Sequence, residues 1–255
     1  MSDPKARIYI ISHKKCEFPI PDGYAPIQAG AATNVPAYKL TDATGDNISS
    51  LNPYYCELTA QYWVWKNAKS DVVGFVHYRR FFYNKKYSSS AANILSLSQA
   101  ESLLENFDCI LPEPLQLRRT VWEEFARYHN EEDLALAKRA ACPEGSNYAR
   151  QFECLMRSRS FAPWNMYIMK WDVFDAYMSW LFPALEYVRK QVDISGYDSY
   201  NKRLLGFISE RLLNVWVDGN ELAVCRRPVY MLGENCAKAQ LKNNLKLLFN
   251  LVHAR

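Results

Sequence analysis

The chain of 255 residues lacks the short motifs that mark several large enzyme classes. It has no G-x-x-x-x-G-K-[ST] loop and no G-x-G-x-x-G, so the P-loop and dinucleotide-binding classes have no support. It also has no G-x-S-x-G elbow and no H-E-x-x-H, which excludes the hydrolases and zinc proteases built on those motifs. No Asp-x-Asp pair occurs either.

The chain is also poor in metal-binding and membrane-spanning patterns. Its four histidines are scattered, and its seven cysteines, an odd number, form no C-x-x-C pair. Neither a zinc cluster nor a thioredoxin-type motif is therefore indicated. No run approaches the ~20 apolar residues of a membrane span, and no apolar segment typical of a signal peptide opens the chain. These patterns predict a protein of the reducing cytoplasm.

The composition is that of a globular protein, with 49% hydrophobic and 23% charged residues. At this length we expect one large domain over residues 1–236 and a C-terminal helix over residues 237–255. Aromatic residues reach 14%; such side chains often line sugar or base sites, but they also fill cores. The net charge of +4 is modest and no nucleic-acid motif is present, so no nucleic-acid partner is predicted.

One stretch combines a helix, a buried strand and a cluster of cations. Asn52 caps a predicted helix that runs to about residue 67, and the apolar run 72–76 predicts a strand buried on both faces. The strand is followed directly by His77, Tyr78, Arg79 and Arg80. Because open α/β sheets bind ligands beyond the carboxyl ends of their strands, these two guanidinium groups indicate a phosphate or carboxylate site. The alternative is a structural arginine pair that bridges to Glu57 and Asp71.

A second polar cluster follows the first predicted strand, residues 7–11. Ser12, His13 and Lys14 stand at its carboxyl end, where they indicate another anion site, although a solvated basic turn explains them equally well. Residues 16–46 are rich in Pro, Gly and Ala and predict a long irregular connection. In this connection, Gly30 would let the backbone approach a ligand. Strands and helices mix along the chain, which predicts an α/β fold.

The cations after the central strand suggest a reason for the missing Asp-x-Asp pair. Many nucleotide-sugar transferases place such a pair after a central strand to hold a divalent metal ion on the diphosphate. Here His77, Arg79 and Arg80 occupy that position. Cationic side chains can neutralise a diphosphate leaving group without a metal ion.

Four segments resemble one protein family. They are N-I-S-x-L-N-P-Y-Y-C-E-L-T-A-x-Y-W-V-W-K-N from residue 47, V-G-F-V-H-Y-R-R-F-F from residue 73, N-M-Y-I-M from residue 165 and R-x-x-G-F-I-S-E-R-L from residue 203. They are similar to the bacterial galactofuranosyltransferase domain of capsule, exopolysaccharide and O-antigen clusters, long catalogued as a domain of unknown function. The similarity runs through almost the whole chain.

The resemblance implies a GT-A-like glycosyltransferase fold, with a central mostly parallel sheet flanked by helices. It implies transfer of galactofuranose from UDP-galactofuranose, with inversion, to a lipid-linked saccharide at the cytoplasmic face of the membrane. No cofactor is expected, although scattered carboxylates leave a site for Mg²⁺ or Mn²⁺ open. Two alternatives are a transferase that uses another UDP-hexose and a non-catalytic subunit that binds nucleotide or glycan.

The resemblance also suggests roles for individual residues. Inversion needs a carboxylate base, for which Glu210 and Asp198 are the candidates, and His77 would orient a phosphate or a sugar hydroxyl. A salt bridge with Arg211 is the alternative role of Glu210, and turn chemistry that of Asp46 and Asn47. The predicted donor-binding set is Ser12, His13, Lys14, Gly30, Asp46, Asn47, Asn52, Glu57, Tyr78, Arg79, Arg80 and Arg211.

The C-terminal helix is amphipathic and basic. Leucines recur from residue 241 to residue 251 among Lys238, Lys242 and Lys246. Such a helix is typical of peripheral contact with an anionic membrane. The same pattern also fits a final core helix or a contact between subunits.

Overall fold

The computed structural model describes residues 6–16 and 19–252. Over these residues, the strands are β1 (Ala6–Ser12), β2 (Tyr24–Gln28), β3 (Val72–His77), β4 (Arg80–Phe82), β5 (Cys109–Pro112), β6 (Leu115–Gln116), β7 (Ser160–Phe161), β8 (Tyr167–Lys170), β9 (Val224–Arg227) and β10 (Val229–Met231). The helices are α1 (Asn52–Tyr55), α2 (Leu58–Asn67), α3 (Leu97–Leu104), α4 (Val121–Ala126), α5 (Glu131–Ala141), α6 (Asn147–Arg157), α7 (Trp171–Gln191), α8 (Leu204–Gly219) and α9 (Cys236–Val252).

The strands form one central sheet and a small separate pair, β6 with β7. Across the centre the order is β2-β1-β3-β8-β5-β9. All of these strands run in the same direction except β8, which is antiparallel to both β3 and β5. The β4–β10 ribbon joins the sheet at the carboxyl end of β3. The predicted α/β fold with a central, mostly parallel sheet is confirmed.

Helices cover both faces of the sheet, so the central strands are buried on both sides. In β1, Tyr9 packs in the larger core with α2, α7 and α8, whereas Ile8 and Ile10 pack in the smaller core with α3. In β3, Phe75 and Val76 divide between the two cores in the same way. This burial explains the continuous apolar runs of both strands, since each face of a covered sheet needs its own apolar side chains.

Residues 16–46 are not the wholly irregular connection that their composition predicts, because β2 lies within them. Ile8 pairs with Tyr24 and Ser12 with Gln28 in a parallel register. Pro26 is compatible with this strand because β2 is at the edge of the sheet, with β1 as its neighbouring strand.

The helix predicted over residues 52–67 is interrupted. Cys56 has φ 52° and ψ −128°, so α1 ends before it and α2 starts at Leu58. Asn52 is not the cap: it is the first helical residue, and its side-chain amide donates to the Cys56 carbonyl at 2.7 Å and to the Thr59 hydroxyl at 3.1 Å. The asparagine therefore stabilises the break between the two helices.

Candidate active site

The carboxyl ends of β1, β2 and β3 meet at one edge of the sheet. Ile11 pairs with His77, and the Tyr78 amide donates to the Ile11 carbonyl oxygen at 3.1 Å. The ring of His13 meets the ring of Tyr78 edge-on at 5.1 Å, and Lys14 Nζ lies 5.2 Å from the centre of that ring. The two predicted anion motifs therefore form one continuous surface.

A loop before β8, residues 162–165, closes against the end of β3; we call it the Trp164 loop. His77 Nε2 donates to the Trp164 carbonyl oxygen at 2.7 Å, which fixes the proton on that nitrogen because a carbonyl only accepts. Arg80 lies over the Trp164 indole at 5.3 Å. Trp164 and Asn165 both have left-handed backbone, with φ 75° and 50°. The end of β3 is thereby joined to a second, strained segment.

Buried hydrogen bonds hold the Trp164 loop from α2 and α8. Gln61 Nε2 donates to the Asn165 carbonyl at 3.0 Å, and Asn214 exchanges two hydrogen bonds with the backbone of Ala162. The Asn165 side-chain amide donates to Glu57 Oε1 at 2.6 Å and to the Gly206 carbonyl at 3.1 Å. These contacts fix the loop in a conformation that non-glycine residues adopt at a cost.

Glu210 lies beside the same loop, in the middle of α8. Its Oε1 accepts from the Trp164 amide at 3.1 Å, and its Oε2 accepts from Arg211 Nη1 at 3.1 Å. The side chain is only 16% exposed. Burial raises the pKa of Glu210 from its ordinary value to about 7, the charge of Glu57 also raises it, and Arg211 and Arg203 oppose the rise. The carboxyl group therefore exchanges its proton near neutral pH.

Arg211 lies behind Glu210 and is almost wholly buried. Its guanidinium is 5.4 Å from the Phe125 ring and 4.7 Å from the Phe161 ring, and it donates to the Phe207 carbonyl at 2.9 Å. The salt bridge to Glu210 that the sequence offered as an alternative is present. The structure thus gives Arg211 contacts with its own helix and two aromatic rings, and its donor-binding role stays a prediction.

Two more arginines, Arg80 and Arg203, interact electrostatically with Glu210, and Arg79 lies over the Tyr78 ring at 4.8 Å. Over the described part of the chain, none of Arg79, Arg80 and Arg203 has a carboxylate within 4.0 Å. Arg203 instead donates Nε to Cys56 Sγ at 3.4 Å. The structural bridge from the arginine pair to Glu57 and Asp71 is therefore not observed. Uncompensated guanidinium groups attract a polyanion.

The two histidines of this cluster have lowered pKa values. Burial lowers the pKa of His77 and the charges of Arg80 and Arg203 add to it, against the raising effects of Glu57 and the Trp164 carbonyl. Burial also lowers the pKa of His13, and nearby Lys14, Arg79 and Arg203 contribute. Both imidazoles are therefore neutral at pH 7, and the positive charge of the site comes from arginine and lysine.

Several predicted site residues have local partners away from this cluster. Asp46 accepts from Tyr62 at 3.1 Å and is bonded to Asn67 at the far end of α2, and Asn47 accepts from the Ser49 amide. Asp198 is exposed and caps a turn by accepting from the Asn201 amide at 2.7 Å. The roles of Asp46, Asn47 and Asp198 in binding or catalysis stay predictions.

Gly30 and Ser12 shape the edge of the site. Gly30 has φ +69°, and a Cβ there would lie 2.6 Å from the side chain of Asn52, so the loop approaches α1 closely. Buried Asp42 holds this loop by accepting from the Gly30 and Ala31 amides. The Ser12 hydroxyl is buried and bonded to the Lys14 backbone. Both predicted residues support the strand-end loops.

The sequence did not single out Trp164, Asn165, Arg203 or Asp42 as site residues. Asn165 opens the N-M-Y-I-M segment that resembles the family, but neither it nor Trp164 was given a role in the site. Arg203 could have been predicted, because it is the first residue of the family-like segment that also contains Glu210. Asp42 stands among turn residues, where its burial has no local signature.

No group of three or more His, Cys, Asp or Glu side chains suited to a metal ion occurs between residues 6 and 252, the two undescribed positions apart. Metal-free transfer stays a prediction. Within the same residues, no helix has both the length and the apolar character needed to cross a bilayer.

Comparison with known proteins assigns the chain to a family. Residues 7–221 match the model of a domain of unknown function, DUF4422. The chain belongs to this family. No curated protein matches the chain. Among solved structures, the DUF4422 domain is similar to the apo structure of WbbM, a bifunctional glycosyltransferase, with a TM-score of 0.81 and 27% identity.

The match covers 90% of this chain and 46% of the WbbM chain, so the DUF4422 domain spans about half the length of that protein. The predicted glycosyltransferase-like fold is confirmed. The relation to a domain of unknown function, named in the sequence analysis, is confirmed as well.

Proposed function

We propose that the DUF4422 domain is a glycosyltransferase that moves galactofuranose from UDP-galactofuranose to a hydroxyl group of a glycan, with inversion. The acceptor would be a lipid-linked saccharide at the cytoplasmic face of the membrane. The observation that carries the proposal is the position of Arg80 and Arg203, which have no ion pair among the described residues, near a buried carboxyl group with a pKa near 7. The similarity to a bifunctional glycosyltransferase supports it.

The donor diphosphate fits the carboxyl edge of β1 and β3. Arg79 and Arg203 are exposed there, and Arg80 is half-buried. Each guanidinium is a rigid fork that matches phosphate geometry, and a charge-assisted hydrogen bond to phosphate is stronger than one to a neutral acceptor. In this proposal the arginines stabilise the charge that develops on the leaving diphosphate.

Glu210 fits the role of general base better than Asp198 does, because it faces the Trp164 loop beside the arginines. Each carboxylate oxygen accepts one hydrogen bond in the free protein, which leaves lone pairs for the acceptor hydroxyl. Ionised Glu210 takes the hydroxyl proton as the acceptor oxygen attacks C1 of the sugar. The bond from C1 to the β-phosphate oxygen breaks, and its electron pair leaves with UDP. The opposite approach of nucleophile and leaving group gives inversion.

The test is a transfer assay with purified protein, a synthetic galactosyl acceptor and UDP-galactopyranose, with and without the mutase that forms the furanose donor. Mass spectrometry of each reaction, run with and without EDTA, detects the added hexose. Addition that requires the mutase supports the proposal, and its persistence in EDTA supports stabilisation by arginine. Addition without the mutase would identify a pyranosyltransferase instead.

A glycan- or nucleotide-binding subunit is the competing function, since aromatic rings and arginines also suit binding alone. Calorimetry with UDP separates the two when no product forms: binding without turnover favours the subunit. Arg79→Ala should weaken UDP binding by about tenfold to a hundredfold and abolish transfer, because it removes charge-assisted hydrogen bonds. Lys69→Ala, at the opposite edge of the sheet, is the matched control and should change neither.

A further inference from the structure

Helix α9 is turned so that its polar face meets the domain. Asn243 accepts from the Gln116 amide at 2.9 Å and donates to the Pro114 carbonyl at 3.4 Å. Two turns further on, Asn250 donates to the Leu117 carbonyl at 3.0 Å. A helix that belonged to the core would present its apolar residues here.

Four large apolar residues of α9 lie on the opposite side of the helix and are exposed. Leu241, Leu245, Leu248 and Val252 recur at intervals of three and four residues and therefore share one face. Their exposed fractions are 59%, 57%, 59% and 70%. The core-helix alternative is thereby excluded for these side chains. An exposed row of large aliphatic residues marks a contact surface.

The charges on α9 are all positive. The helix carries Lys238, Lys242 and Lys246 and no acidic residue. Lys238 and Lys242 are exposed beside the apolar row. Arg118, an exposed residue after β6, contributes to the lowered pKa of Lys246, for which burial is the main cause. The apolar row is therefore bordered by cations.

A groove of about 340 Å³ connects this helix with the candidate active site. Its lining includes Arg80 and Trp164 of the candidate site and Lys242 and Lys246 of α9. Two carboxylates, Glu113 and Glu234, are also in the lining, and the first is paired with Lys86 at 2.7 Å. Helix α9 therefore forms one wall of a groove that reaches the candidate active site.

We propose that α9 docks the domain on an anionic bilayer, with Leu241, Leu245 and Leu248 inserted among the lipid headgroups and Lys238 and Lys242 against the lipid phosphates. Charge complementarity selects this occupant. A basic amphipathic helix binds anionic membranes through the sum of apolar burial and attraction by each lysine. A second copy seated on the same face would bring two rows of lysines together, and like charges repel.

Docking in this way has a consequence that rests on the proposed function. The part of the groove that is lined by Lys242 comes close to the lipid headgroups. A saccharide attached to a lipid phosphate can then reach Arg80 and Trp164 while its lipid chain stays in the bilayer. Membrane docking itself does not depend on transfer, so vesicle binding and activity can fail separately.

The experiment measures partition of the full chain onto vesicles of phosphatidylcholine, with and without about one third phosphatidylglycerol, by co-sedimentation at low and high salt. The wild-type protein should bind only the anionic vesicles and should leave them at high salt. The double variant K238Q/K242Q should lower the partition constant about 25-fold, since each lysine contributes roughly fivefold. The triple variant L241N/L245N/L248N should lower it at least tenfold.

The matched control is K69Q/R139Q, which removes the same charge from exposed positions on other elements and should bind like the wild type. Equal binding by all variants would overturn the proposal, as would equal wild-type binding to neutral and anionic vesicles. The face would belong to a second copy instead if the wild type is a dimer in light scattering, the leucine variant is a monomer, and no vesicle binding is found.

Transfer to a soluble acceptor should be unchanged in the leucine variant. If transfer is absent from every protein while vesicle binding follows the prediction, only the proposed function fails.

Discussion

Replacing Glu210 by Gln tests two effects of this carboxyl group separately: how much its burial lowers the stability of the fold, and how much its ionisation contributes to transfer. Glutamine keeps the shape and an oxygen that accepts from the Trp164 amide, but it cannot ionise. In the wild type, burial raises the pKa of Glu210 from 4.5 to about 7. The folded state therefore holds this proton more tightly than the unfolded state does.

The sign of the effect on stability follows from that difference. Stability from the protonated group is fully present below pH 4.5 and is lost as the pH rises through 7. A rise of this size corresponds to about 3 kcal/mol. The wild type should thus lose about 3 kcal/mol of unfolding free energy, relative to Glu210→Gln, between pH 4.5 and pH 8. The pKa of about 7 already includes the attraction of Arg211 for the ionised carboxylate, so the ion pair that forms on ionisation needs no separate correction.

Urea unfolding of both proteins across this pH range measures the difference, because other titrating groups are shared and cancel. Transfer should fall in the variant by about a hundredfold to ten-thousandfold, and wild-type transfer should rise with pH through a midpoint near 7. Two parallel stability curves would refute the argument that Glu210 is strained by burial. A variant that retains full transfer would refute its role as the base.

Three further substitutions test the site and its support. Gly30→Ala should lower the unfolding free energy in urea by more than Gly145→Ala. Both glycines have positive φ, but of the two only Gly30 would place its new Cβ against a side chain, at 2.6 Å. Equal losses of unfolding free energy would contradict this close approach. Arg211→Met should move the midpoint of the pH–rate profile upward, because the charge of Arg211 lowers the pKa of Glu210. Arg211→Lys keeps that charge and should leave the midpoint where it is. An unchanged midpoint in Arg211→Met would show that Arg211 does not set the pKa of Glu210. Asn165→Ala should cost about 2 kcal/mol in thermal or urea unfolding, because it leaves the Glu57 carboxylate without its 2.6 Å donor; a neutral result would contradict that contact.

The strands at the centre of the sheet could be predicted because their signals are local. The apolar runs at residues 7–11 and 72–76 belong to strands buried on both faces, and the polar residues that follow them meet at one edge. Parallel pairing makes that meeting a consequence of topology. The same reasoning missed β2, because Pro26 and its neighbours weaken a strand signal that only edge position makes acceptable.

The rest of the site could not be predicted because its contacts join distant parts of the chain. Asn165 is held by Glu57 and Gln61, each more than 100 positions away in sequence. Asp46 shows the converse. It is close to α1 and α2 in sequence, but the chain brings it to Asn67, at the end of α2 away from the site. A residue that is close in sequence to a functional segment is therefore not always close in space to the reactive groups of that segment.

The backbone at the site indicates that its shape is set during folding. Cys56, Trp164 and Asn165 are non-glycine residues with φ values of 52°, 75° and 50°, and all three surround Glu57 and Glu210. A left-handed conformation costs such residues roughly 1–2 kcal/mol each, and the buried hydrogen bonds of the Trp164 loop offset that cost. Because the loop is already fixed, a bound donor need not order it, and less binding free energy is lost to conformational entropy. Arg79, Arg80 and Arg203 are exposed or half-buried and have no ion pairs with the part of the chain that the structure describes, so their charge is available to an incoming diphosphate.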